Sequence, residues 1–176
     1  MDLRETQAPL REQYRADPAD ALITLSATAS STDDNPVTCS VDLGRAVYAA
    51  QAHAGVGGSG TAACSGDLLL AALAACAQLT CQMAATSSGI PLRSVAVTVD
   101  GDLDLRGTLG LSRQAPVGFA AIRVHFDVDA PEATPRQRRS LERATEAFCV
   151  VLQTLTTPPG IEVTWPEQLS GGADDS

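Results

Sequence analysis

The chain has 176 residues, enough for one domain with a sizeable core or for half of an intertwined dimer. Its net charge is −9 and all twelve basic residues are arginine, a balance that disfavours nucleic acid and anionic membranes as partners. Six aromatic residues are also too few for a platform on which bases could stack.

The N-terminus, MDLRETQAPLREQ, is charged and lacks the apolar core of a signal peptide, so a cytoplasmic protein with reduced thiols is expected. Residues 1–19 are polar, with a short helix expected from Ala8 to Arg15, ending before Asp17-Pro18. ALITLSATAS (21–30) and VTCSVDL (37–43) alternate around the turn-rich STDDNP, which reads as a hairpin. RAVYAA (45–50) extends the second strand or forms a third. HAGVGGSGTAACSG (53–66) is glycine-rich loop, without the GxxxxGK[ST] pattern of a phosphate cradle.

DLLLAALAACAQLTCQMAA (67–85) is the spine. From Leu68 to Ala85 there is no charge, proline or glycine, and alanine and leucine favour helix. Ser65 is the expected N-cap, Asp67 suits the positive end of the helix dipole, and Gly89 and Pro91 stop it. Leu69, Ala72, Leu73, Cys76 and Met83 share one face by their spacing, but the opposite side is hardly less apolar. Such a helix should be buried all round. Eighteen uncharged residues reach the bare length for a membrane span, but Gln78, Thr80 and Gln82 within it and the lack of flanking cations favour the core of a soluble fold.

RSVAVTVDGDLDL (93–105) and FAAIRVHFDVDA (119–130) alternate with period two and read as strands separated by a loop. Thr134 or Pro135 opens a second helix running through Ala147. Its Arg136, Arg138, Arg139 and Arg143 stand beside Glu142 and Glu146, as on a solvated face rather than a phosphate site. Cys149 closes this helix, VVLQTL adds an apolar turn or short helix, TTPPG breaks it, and IEVTW (161–165) is a closing strand. The order of elements makes an α+β fold with antiparallel sheet packed on helices. Residues 1–36 form an N-terminal extension with the first strand, 37–168 the main domain, and 169–176 a tail expected to be disordered.

Five cysteines (Cys39, Cys64, Cys76, Cys81, Cys149) contain no C-x-x-C pair, and the two histidines lack paired spacing. No metal and no cofactor are expected, which leaves thiol redox chemistry. Cys76 and Cys149 taken singly read as inert core thiols more readily than as reactive ones.

LLLAALAACAQLT, behind a glycine-rich loop and with an acidic residue nine positions before its cysteine, resembles the OsmC/Ohr family of osmotically induced and organic-hydroperoxide-resistance proteins. ATEAFCVVLQTL, followed by a proline turn and a strand, is similar to that family's second cysteine motif, and the likeness spans Val41 to Trp165. It implies an intertwined α+β homodimer, with antiparallel sheets wrapped around two long central helices, that reduces organic hydroperoxides. By that resemblance Cys76 is the peroxidatic thiol and Cys149 the resolving one, their disulfide being reopened by a cellular dithiol. Arg45, in a Gly44-Arg45 pair thirteen residues before the Gly57-Gly58 pair, is the candidate cation, and Asp67 the carboxylate that holds it. Arg45 reads equally well as a surface strand residue, and Asp67 as a first-turn residue serving the dipole.

Nine residues along one helix put Asp67 about 13.5 Å from Cys76 and on the opposite face, so a shared site would need the carboxylate of a second copy or a helix that begins later than Asp67. Gly66 and Val150 depart from the family's usual Glu and Pro, and Cys64, Cys81 and His53 are additions. These departures motivate an alternative function, binding of a hydrophobic small molecule at the dimer interface without peroxidase turnover. A thioesterase of the hotdog type, also a sheet around a long helix, leaves two cysteine motifs without a role.

Overall fold

A computed structural model describes residues 3–30, 40–42, 52–58, 60 and 63–165 of the chain. Two of the expectations above, the turn at STDDNP and the strand at RAVYAA, lie outside them, as do Cys39, Arg45 and the tail.

The fold is α+β: one antiparallel sheet packed on a long helix. Strands β1 (Leu22–Ser30), β2 (Ser40–Asp42), β3 (Ser94–Asp104) and β4 (Ala121–Asp129) are ordered β2-β1-β3-β4, each neighbour antiparallel to the next. The register sets Val95, Val97 and Val99 of β3 opposite Val128, Phe126 and Val124 of β4, so both strands turn their alternating apolar residues to one side. The three β3 valines are fully buried, each contributing about 1.5–3 kcal/mol by leaving water.

Helices α1 (Leu3–Ala16), α2 (Ser65–Ser87), α3 (Leu105–Thr108), α4 (Pro135–Phe148) and α5 (Val150–Thr156) complete the described elements. α2 lies against β1 and β3 on one flank and against α4 and α5 on another. Leu70, Leu73, Ala74, Ala77, Cys81 and Ala85 meet the valines of β3 in the main core. Where β3 passes Leu70 it carries Gly101, because a Cβ there would sit 2.5 Å from the ring of Phe119. α2 is the one described helix long and apolar enough to cross a membrane, and here it is the central helix of a packed core.

Three expectations need correction. The cap of α2 is Cys64 rather than Ser65, and the helix begins a turn earlier than its charge-free stretch. α2 is not buried all round, since Leu69, Ala72 and Met83 remain exposed along one stripe. The described residues cover only the arc of α2 that faces the sheet, α4 and α5. Residues 161–165 form no strand: Ile161, Val163 and Trp165 are 83, 67 and 81% exposed. A strand is stabilised by a neighbour's hydrogen bonds, and no described strand of this chain runs beside them.

The N-terminal helix is longer than its pattern suggested, starting at Leu3 rather than Ala8. It is held by a second, smaller core in which Tyr14 and Ala21 pack on Leu105 and Leu109. The Tyr14 hydroxyl donates to the Gly55 carbonyl at 2.6 Å, tying α1 to the glycine loop that leads into α2.

Candidate active site

The second cysteine is placed by one break in helical geometry. α4 starts behind a capping box of Thr134 and Gln137 and runs to Phe148. Cys149 then turns to extended geometry (φ −72°, ψ 103°), and α5 restarts at Val150. One residue thus closes a helix and opens the next: its N–H donates to the Thr145 carbonyl at 3.1 Å, and its own carbonyl accepts from Gln153 N–H at 2.9 Å. The Cys149 side chain is left with no exposure, inside the core and against α2.

There it lies near Cys76, which is half-buried at the middle of α2 and packed against the same core. Both thiols are free. Burial is the main cause that pushes the Cys149 thiol up to about 11; the Leu152 N–H opposes it, while the neighbouring Cys76 thiol adds to the rise. Cys149 is therefore a neutral thiol at physiological pH. The pair is asymmetric: one thiol is open to solvent along an apolar stripe and the other is enclosed.

The surroundings of Cys76 are greasy. Leu69 and Met83 flank it along α2, and Phe148 and Val150, on either side of Cys149 in the chain, are exposed. One turn beyond Cys76 a cavity of about 290 Å3 is lined by Thr80, Met83, Ala84, Ala144 and Phe148. Phe148 stands outward beside that cavity.

Asp67 occupies the first turn of α2. Its carboxylate accepts from the Cys64 N–H at 2.7 Å, and its own N–H points at the Cys64 sulfur. Because α2 is continuous from Ser65, the separation of about 13.5 Å from Cys76 holds within the chain. Arg45 lies outside the described residues, so the structure places one of the two expected partners and leaves it engaged in capping.

The additional residues have structural roles. Cys64 is buried, and burial raises its thiol; the Asp67 N–H pulls it partly back, while the Asp67 carboxylate adds to the rise. It acts as a capping group, not as a thiolate. His53 accepts the Gly55 N–H on Nδ1 at 3.0 Å and so caps the short turn Ala54–Val56. Cys81 is buried on the arc of α2 away from Cys76. Tyr14, which clamps the glycine loop, was missed in the sequence; its one signal was an aromatic residue in an otherwise polar helix.

The order of parts is now explicit: a glycine loop, a long helix with a cysteine at its centre, two strands, and a second cysteine between two helices. A family model described as OsmC-like protein matches residues 58–164, which contain both thiols. The chain belongs to the OsmC-like family. No curated protein matches it. Within the OsmC-like domain the match starts in the glycine loop and ends one residue short of Trp165, so the exposed segment after α5 belongs to the shared pattern.

Proposed function

We propose that this OsmC-like protein is a thiol peroxidase that reduces organic hydroperoxides through Cys76 and Cys149. The observation that carries this reading is the nearness of an accessible thiol and an enclosed, protonated one in the same core. The Cys76 thiolate attacks the outer oxygen of ROOH; the O–O bond breaks, the alkoxide takes a proton to leave as the alcohol, and Cys76 becomes a sulfenic acid. The Cys149 thiol condenses with it, forming the S–S bond and releasing water. A cellular dithiol reopens the disulfide by exchange and is itself oxidised. The apolar stripe around Cys76 suits a hydrophobic R group, and hydrogen peroxide is the smaller second substrate.

A cysteine at mid-helix gains nothing from the helix dipole, which falls off within a turn, so a cation must stabilise its thiolate. Arg45 is our candidate, held by Asp67. Since Asp67 lies on the far face of its own helix, a second copy has to supply it, and the site is composite. The exposed stripe of α2 and the segment 161–165 supply the apolar surface for such a homodimer. The setting is the cytoplasm, where dithiols are available, with neither nucleic acid nor membrane as partner.

Stopped assays with cumene hydroperoxide and a dithiol test the assignment. Cys76→Ser abolishes consumption. Cys149→Ser forms a sulfenic acid that over-oxidises and stops, and Arg45→Gln slows the first step at least about tenfold, the loss of one charge contact. Normal turnover by Cys149→Ser would remove the resolving role. The second reading, a binder of hydrophobic small molecules on the same face, is favoured by Gly66 and by the cavity at Met83 and Phe148. It requires both thiols to survive an equivalent of peroxide.

A further inference from the structure

A larger concavity lies on the other side of α2. Its volume, about 490 Å3, is within the range of small-molecule sites. It opens between α4 and β4, the edge strand of the sheet, with Phe126 and Leu141 on its walls and Cys81 of α2 among its lining. Cys81 is five residues after Cys76, about 140° around the helix, so this cleft and the dithiol use different faces of α2.

One polar atom in the cleft has no counterpart. Thr145 is 3% exposed, lines the cavity, and its Oγ1 has no hydrogen-bond partner. Helical threonines commonly donate to the carbonyl one turn back. Thr86 does so to Gln82 at 2.9 Å and Thr154 to Val150 at 2.8 Å, but Thr145 does not. The Cys81 sulfur lies beside it: burial raises that thiol and the Thr145 hydroxyl offsets part of the rise, yet the pair falls short of hydrogen-bond geometry. A buried hydroxyl left unpaired is unfavourable, and a ligand atom in the cleft would satisfy it.

The rest of the lining says what kind of ligand. Asp127, Glu142 and Glu146 border the cleft and form no ion pair among the described residues. Arg138, also on the border, has its guanidinium engaged by the Ala130 and Ala133 carbonyls. An acidic border on a chain of net charge −9 also opposes docking of a second copy here.

We propose that this cleft binds an amphipathic amine, with an apolar body between Phe126 and Leu141, an ammonium group at the carboxylates, and a second polar atom paired with Thr145 Oγ1. The site is independent of the peroxidase reading and needs neither reactive thiol.

Titration calorimetry on the full reduced chain with three probes tests it. Tyramine carries all three features, phenethylamine lacks the inner hydroxyl, and 3-(4-hydroxyphenyl)propionate reverses the charge. Tyramine should bind at least about tenfold more tightly than the carboxylate, and Glu142→Gln with Glu146→Gln should remove that preference. Thr145→Val should weaken tyramine about fivefold and leave phenethylamine unchanged, the factor of one hydrogen bond. The paired glutamine variant, altered only at exposed positions, decides the question if Thr145→Val does not fold. Equal binding of all three probes, or no tyramine binding at millimolar concentration, would overturn the proposal. Neither result bears on peroxide consumption.

Discussion

Cys149 gets its character from a single residue of non-helical backbone. Had α4 continued without a break, the side chain would have followed the helical spiral; the extended turn instead directs it to the core and to Cys76. Cys64, Cys81 and Cys149 are all buried with thiols pushed up, whereas Cys76 is only half-buried. Among the described cysteines, iodoacetamide at neutral pH should therefore label Cys76 first; earlier labelling of Cys81 or Cys149 would contradict the geometry. The raised Cys149 value also has a consequence for stability. The folded state holds that proton more tightly, so its contribution is fully present below the ordinary thiol range and is lost as pH rises through about 11. The melting temperature should fall between about pH 9 and 11, and Cys149→Ala should flatten part of that limb. Both cysteines were legible from their motifs. Cys64 as a cap was not, because a thiol is a rare cap, and the orphan hydroxyl of Thr145 depends on packing between elements distant in the chain.

At the scale of elements, α2, β3, β4 and α4 were legible because each carries a clear pattern: an uncharged helix, two period-two strands, and a charged helix opened at Thr134 or Pro135. The N-terminal helix was misjudged because Pro9 suggests a first turn, whereas here it lies inside the helix. Tertiary contact outweighs that cost, through Tyr14 and the small core around Leu105. The loop ahead of α2 is equally dependent on close approach. A Cβ on Gly58 would fall 1.7 Å from the Ala52 carbonyl oxygen, and Gly57 has φ 97°. Gly58→Ala should destabilise the protein by about 2 kcal/mol or more, and Tyr14→Phe by about 1 kcal/mol, read from denaturant midpoints. An unchanged midpoint for Gly58→Ala would mean that this loop is not held as described.

The whole molecule is where the sequence was least sufficient. IEVTW has the alternation of a strand, and α2 has the composition of a helix enclosed on every side, but the described residues of one chain satisfy neither. Sequence patterns record that a surface is to be covered without recording what covers it. The proposed homodimer would account for both, and the lone tryptophan, Trp165, would report on it. In the assembled protein its emission should be that of a buried indole, and Val163→Asp should shift it to the red while halving the mass by light scattering. A monomer with a solvent-exposed Trp165 would leave the composite site without its second copy.

The central claim is that Cys76 and Cys149 form one redox unit. Its most direct test is to add one equivalent of cumene hydroperoxide to the reduced protein, count the remaining thiols and map the products by mass spectrometry. The account requires the loss of two thiols and a Cys76–Cys149 disulfide; a full complement of thiols, or a disulfide joining other cysteines, would contradict it.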